Sequence, residues 1–217
     1  MAAYYTISMY PVQFSVDYPD RPLDRKSTLL RVFYVLPIWV VLAFMSGTTY
    51  AFGLEKVSLA SAQVGGVLFV PIVLMLLFQN KYPRWWFEWN LALMQFTNRV
   101  VAYMFLLTDV YPSTDEEQSV HLDIAYPDTE WDLNRAMPLF KWLFAFPHYI
   151  ALFFLWLAMI VVTILAWFAI LFTRRYPRNL FDFNVGVMRW GNRVASYAFI
   201  LVTDTYPPFR LHDDHRP

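Results

Sequence analysis

Few residues in this chain are available for chemistry. It has four histidines, no cysteine, and 17 acidic against 17 basic side chains. His148 is the one histidine inside a long apolar window. Beside Pro147 it can donate to a carbonyl that the proline leaves free; a ligand or proton-relay role is the sharper alternative. His212-Asp213-Asp214-His215 is rich in donor atoms, but metal ligands need a surrounding shell that orients them, and a short terminus reads as a solvated tail. The sequence has no Glu-x-x-His pair of the di-iron bundle type, no Gly-x-Ser-x-Gly elbow and, with six glycines, no phosphate-cradling loop. The expectation is a protein with no catalytic, cofactor or metal residues, and with bound lipid as its small-molecule company.

What recurs is charge at fixed spacing. Glu88 and Arg99 stand eleven residues apart, as do Asp182 and Arg193. Eleven residues is about 16 Å of helix, so these partners cannot touch within one helix. Antiparallel packing of two such helices would bring Glu88 to Arg193 and Asp182 to Arg99. The local alternative is Arg84 with Glu88 and Arg178 with Asp182, each four residues apart. Arg84, Arg174, Arg175 and Arg178 could together hold lipid headgroups. Asp109 and Asp204 each follow a threonine at a helix end, where a carboxylate opposes the helix dipole. They read first as turn formers before Tyr-Pro, and otherwise as partners for an arginine.

The elements that position these residues follow from periodicity. At 100° per residue, Glu88, Gln95, Asn98, Arg99 and Ala102 share one arc, and Asp182, Arg189, Asn192, Arg193 and Ser196 share a matching one. Amphipathic helices are therefore expected at 87–108 and 181–203, lying in the membrane interface in preference to crossing it; Trp85, Trp86 and Trp89 favour that placement. Val12, Phe14 and Val16, and then Val120, Leu122 and Ile124, alternate with mostly polar residues, the period of a strand.

Composition sets the environment. The chain is 58% hydrophobic and 20% aromatic, with 16% charged residues against about 25% in soluble domains. That excludes a disordered chain and a disulfide scaffold, and the balanced charge argues against a nucleic-acid partner. Apolar windows run at about 32–54, 60–80 and 137–173, where about 20 residues suffice to cross a bilayer. The third is too long for one straight crossing. A hairpin turning near Trp156-Leu157-Ala158 gives four passes; a single tilted helix gives three. Four are favoured, because the hairpin keeps the basic motifs Lys81–Arg84 and Arg174–Arg178 on one side.

The chain also reads as two copies of one unit. Lys81-Tyr82-Pro83-Arg84 returns as Arg175-Tyr176-Pro177-Arg178, Asn98-Arg99-Val100 as Asn192-Arg193-Val194, and Thr108-Asp109 before Tyr111-Pro112 as Thr203-Asp204 before Tyr206-Pro207. Pro37 matches Pro147. The first unit covers 1–113, an acidic linker 114–118, the second unit 119–209 and a polar tail 210–217. The fold expected is a mainly α integral membrane protein of two pseudo-symmetric units, each a small β segment, a transmembrane hairpin and an amphipathic interfacial helix.

These motifs resemble a bacterial family known as domain-of-unknown-function family 4389. The second unit fits closely through Pro147-His148, Arg175 to Arg178, Phe181 to Phe183, Arg189-Trp190, Arg193-Val194, Tyr197 and Thr203 to Phe209. The first departs, with Ile38 for the histidine, Gln95-Phe96 for Arg-Trp and Ser113 after Tyr-Pro. The resemblance spans nearly the whole chain and implies a bacterial membrane protein, without assigning an activity. The function expected is that of a non-enzymatic accessory or scaffold subunit in a larger membrane assembly of the bacterial inner membrane. Its partners would be membrane lipids and other membrane subunits, with basic motifs and sheet on the cytoplasmic side. A small lipid-handling or transport protein is the first alternative, and a subunit contributing to a quinone or haem pocket the second.

Overall fold

The computed structural model describes residues 10–45, 73–77, 82–114, 116–128, 133–134 and 136–212. The end of the 32–54 window, most of the 60–80 window, and Asp213, Asp214 and His215 of the tail lie outside these residues. Within them the protein is mainly helical with one small sheet. The helices are α1 (Arg25–Met45), α2 (Arg84–Met104), α3 (Phe146–Thr173) and α4 (Arg178–Ala195). A 3₁₀ turn (Met137–Leu139) and a single helical turn (Lys141–Phe144) lead into α3, and α4 widens into a π turn over Ser196–Ile200.

Proline sets three of the helix starts. Pro83 and Pro177 precede α2 and α4 with φ of −69° and −62°, and Pro147 lies in the first turn of α3, where its missing N–H costs nothing. The strands β1 (Val12–Val16) and β2 (Val120–Ile124) pair antiparallel with Phe14 opposite Leu122. Their alternation turns Val12, Phe14, Val16, Val120, Leu122 and Ile124 inward. A two-stranded ribbon is marginal alone, and here the helices support it: β1 packs against α4 and β2 against α2.

α3 is one uninterrupted helix of 28 residues, about 42 Å long at 1.5 Å per residue. This corrects the expected hairpin. Trp156-Leu157-Ala158 holds no residue that ends a helix, and the backbone groups of a turn there would go unpaired in lipid. α3 is also the one described helix long and apolar enough to cross a membrane. It buries a single seam, His148, Leu152, Met159, Ala166 and Ile170, while Phe153, Phe154, Val161, Leu165 and Phe172 stand exposed.

α1 runs antiparallel beside α3. Leu23 N donates to Arg174 O (2.9 Å), the Arg25 guanidinium to Phe172 O (3.0 Å) and Trp167 Nε1 to Thr28 O (3.2 Å). The Arg25 contact satisfies a carbonyl at the C-terminus of α3, the end of the dipole that favours a cation.

Candidate functional site

Two of the three buried cations among the described residues, Arg31 and Lys141, form the sharpest polar sites. Arg31 lies in the second turn of α1. After α2, Leu106 takes a left-handed conformation (φ 65°) and brings Thr108 and Asp109 back beneath it. Arg31 NH1 donates to Tyr103 O (3.1 Å) and Thr108 O (2.6 Å), and NH2 pairs with the Asp109 carboxylate. The guanidinium lies 4.0 Å from the centre of the Tyr103 ring. Asp109 Oδ2 also accepts from Asp24 N (2.9 Å).

The other cation is Lys141, whose side chain is 0% exposed. Leu201 again is left-handed (φ 67°), Nζ donates to Thr203 O (2.8 Å), and Asp204 Oδ1 sits 2.7 Å away. Nζ is 5.5 Å from the Tyr197 ring centre, and Asp204 Oδ2 accepts from Asn134 N. Burial pulls the Lys141 ammonium below its usual range, and the hydrogen bond and charge of Asp204 pull it back up. The two threonines do form the expected turns, accepting from Val110 N and Thr205 N. The two carboxylates hold cations. Sequence reasoning passes over Arg31 and Lys141. The available signal is that each stands six residues before one of the matched prolines, Pro37 and Pro147.

His148 is completely buried. Its Nδ1 accepts from Trp190 Nε1 (3.0 Å), its ring stacks on Phe209 at 4.0 Å, and Tyr206 packs at 4.8 Å. Accepting at Nδ1 places the proton of a neutral ring on Nε2, which has no hydrogen-bond partner. Three separate sequence motifs, Pro-His, Arg-Trp and Tyr-Pro-Pro-Phe, thus meet at one point. Ile38 and Phe96, at the positions that the sequence matches to His148 and Trp190, pack into an apolar cluster with Val100.

Beyond Glu88, which is exposed, the polar arcs of α2 and α4 face protein. Asn98 and Asn192 exchange two side-chain hydrogen bonds of 2.9 Å each. Gln95 donates to Leu122 O of β2 (3.1 Å), and Arg189 to Phe14 O of β1 (2.9 Å) and Leu211 O (3.0 Å). Arg99 donates to Ser113 O (2.8 Å), and buried Arg193 lies 5.7 Å from the Tyr10 ring centre.

The expected pairing of Glu88 with Arg193 is not made. Glu88 is 66% exposed and pairs with Arg84 at 3.3 Å. The helices meet at Asn98 and Asn192, and Glu88 and Asp182 each lie ten residues upstream, about 15 Å along their helix from that point. Among the arginines expected to hold lipid headgroups, Arg84 and Arg178 lie over different tyrosines, Tyr126 (5.8 Å) and Tyr18 (4.1 Å). Arg174 and Arg175 are exposed at the end of α3, Arg174 with φ 58°. Asp182 is half-buried. Tyr18 and Tyr126 donate to the carbonyls of Tyr176 and Tyr82, tying each strand end to a Tyr-Pro helix start. No group of three histidine or acidic residues able to hold a metal ion is found among the described residues.

Residues 135–210 match the family model described as a domain of unknown function, DUF4389. The match takes in Lys141, His148, Trp190, Asn192, Asp204 and Phe209, and leaves residues 1–134 outside it. No curated protein and no solved structure matches the chain.

Proposed function

We propose that this is an integral membrane protein of the bacterial inner membrane that serves as a non-enzymatic accessory or scaffold subunit of a larger membrane assembly. The observation that carries the reading is the outward surface of α3. A 28-residue helix that buries one seam and shows Phe, Leu, Ile and Val on its remaining faces would expose a large apolar patch to water, which soluble monomers avoid. Lipid removes that cost. Arg25, Arg31, Arg84, Arg99, Lys141, Arg178, Arg189 and Arg193 point the same way, since each has a carbonyl, carboxylate or ring partner, as intramembrane or interfacial charges require.

In this reading the two halves are pseudo-symmetric units. Matching contacts support it: Arg31–Asp109 with Lys141–Asp204, Gln95–Leu122 with Arg189–Phe14, Tyr126–Tyr82 with Tyr18–Tyr176, and the reciprocal Asn98–Asn192 pair at the centre. Arg25, Lys26 and Arg174–Arg178 lie at one end of the α1–α3 pair, and the positive-inside tendency assigns that end to the cytoplasm.

Two measurements test the proposal. Alkaline carbonate washing of source membranes is expected to leave the chain in the pellet; release into the supernatant overturns the membrane reading. Mild-detergent purification followed by native mass spectrometry is expected to show other subunits in fixed stoichiometry. A lone chain overturns the scaffold reading and favours lipid handling.

A further inference from the structure

Two segments far apart in sequence, 18–26 and 172–182, meet at one end of the α1–α3 pair. Leu23 N donates to Arg174 O, the Arg25 guanidinium to Phe172 O and the Tyr18 hydroxyl to Tyr176 O. Together the segments carry Arg21, Arg25, Lys26, Arg174, Arg175 and Arg178, all exposed. Their carboxylates are Asp20, Asp24 and Asp182, so the cluster is net positive. Asp24 is engaged as the cap of α1, accepting from Lys26 N (3.2 Å) and Ser27 N (3.3 Å). Among the described residues, no carboxylate forms a salt bridge with any of the six cations. Arg25 is oriented by Phe172 O, and Arg178 by the Tyr18 ring centre at 4.1 Å.

The depth of this cluster selects its ligand. Phe172 is 78% exposed, and Leu29, Phe33 and Phe168 are exposed further along the same helices. The cations therefore rim an apolar surface. At 28 residues, α3 is about 42 Å long, whereas a bilayer measures about 30 Å across its hydrocarbon core and about 40–45 Å with its headgroups. In the membrane reading, the end of α3 emerges among the headgroups, and Arg174 and Arg175 follow it directly. The opposite end differs. There Lys141 is buried against Asp204, and Phe140, Trp142, Phe144 and Phe146 are exposed. Arginine offers a phosphate paired N–H donors and lysine a mobile point charge. A net-positive rim at headgroup depth complements a headgroup of net negative charge.

We propose that this end of the α1–α3 pair binds the phosphate of an anionic glycerophospholipid, with Arg25, Lys26, Arg174 and Arg175 supplying the donors. The acyl chains then lie along the exposed apolar surface that the cations rim. Charge is the discriminating term, because a zwitterionic phospholipid brings the same phosphate with a cation attached, which the cluster repels. Arg84, grouped with these arginines by sequence, stands at the start of α2 paired with Glu88; Arg25 and Lys26 of α1 take its place. The proposal rests on the membrane reading and deepens it by naming the lipid class that one end of the helix pair holds.

The test uses the whole chain purified in mild detergent and titrated with lipid by native mass spectrometry. Dioleoyl phosphatidylglycerol and dioleoyl phosphatidylcholine share acyl chains and phosphate and differ in net charge. The wild-type protein is expected to bind the first saturably and at least about tenfold more tightly, with the difference shrinking as salt rises. Lys26→Gln combined with Arg175→Gln removes two exposed cations, each worth about fivefold near an anionic surface. That double variant is expected to lose at least about tenfold in phosphatidylglycerol affinity at unchanged thermal stability. Should it misfold, Arg174→Asn removes another cation at a left-handed position that asparagine tolerates. Arg84→Gln removes a charge outside the cluster and is expected to stay within about twofold of wild type. Equal affinity for the two lipids overturns the proposal, as does equal weakening by Arg84→Gln and the cluster variants. Displacement of the bound lipid by excess inorganic phosphate also overturns it, in favour of a soluble-anion site. A chain released by carbonate takes the proposal down with the membrane reading. A chain that stays in the pellet and shows no preference for the anionic lipid overturns the proposal alone.

Discussion

Arg31 and Lys141 are the residues on which most polar contacts converge, and their partners should carry the largest single-site penalties. Removing one member of a buried ion pair leaves an uncompensated charge at a cost of about 3–5 kcal/mol. Asp109→Asn and Asp204→Asn are expected to lose stability on that scale in detergent thermal unfolding. Glu88→Gln, at the exposed pair with Arg84, should stay within about 0.5 kcal/mol of wild type. A result in which all three variants behave alike would sink this ranking. These roles were half legible in the sequence. Matching of Thr-Asp between the halves marks the carboxylates, and matching of the prolines brings Arg31 and Lys141 into register. Spacing along a chain shows which residues share a face, however, and not what that face meets. The Glu88–Arg193 expectation failed for that reason, because the crossing point of two helices is set by packing at Asn98 and Asn192.

Among the elements, α4 is the most enclosed, and its glycine at 186 shows why. A Cβ there would lie 2.8 Å from Leu211 Cβ and 2.9 Å from Leu211 O, so the chain after Phe209 sits directly on the helix backbone. Arg189 holds it by donating to Leu211 O. Gly186→Ala is expected to cost about 1–3 kcal/mol through overpacking and to lift that segment, read as faster proteolysis after Phe209. Unchanged cleavage would contradict the close approach. Gly191 has open space at its Cβ position, so Gly191→Ala serves as the control, expected to hold or raise stability through helix propensity and to leave the cleavage unchanged. Element starts were the most legible part of the fold: period two marks both strands, and the helices expected from 87 and 181 begin three residues earlier, at Arg84 and Arg178, directly after Pro83 and Pro177. Helix ends were not. Leu106 and Leu201 adopt the left-handed conformation that glycine usually supplies, because both are deeply buried and their side chains offset the backbone cost. The expected hairpin in α3 gave too much weight to the side on which basic residues fall and too little to the absence of any turn-forming residue.

At the scale of the whole molecule, the Asn98–Asn192 contact ties α2 to α4 with reciprocal amide bonds. A single change to leucine strips the other amide of its cross-helix bonds, worth about 1–3 kcal/mol and least for Asn192→Leu because Asn98 Nδ2 still donates to Met94 O (2.8 Å), whereas replacing both with apolar groups can be nearly neutral. A double-mutant cycle with Asn98→Leu and Asn192→Leu should therefore show the double variant more stable than either single one, and simple additivity would refute a direct contact. The crossed support of the sheet also bears on the order in which the protein is made. Val16 pairs with Val120, and β1 rests on α4, whose last residue is Ala195. Chains emerge N-terminus first, so the earliest strand must wait through most of synthesis for both its edge partner and its platform. A nascent chain stalled after α2 would hold a strand with an open edge and an unburied apolar face, the condition under which strands pair with other chains. Completion of translation, more than any local folding step, is what protects this protein from its own strand β1.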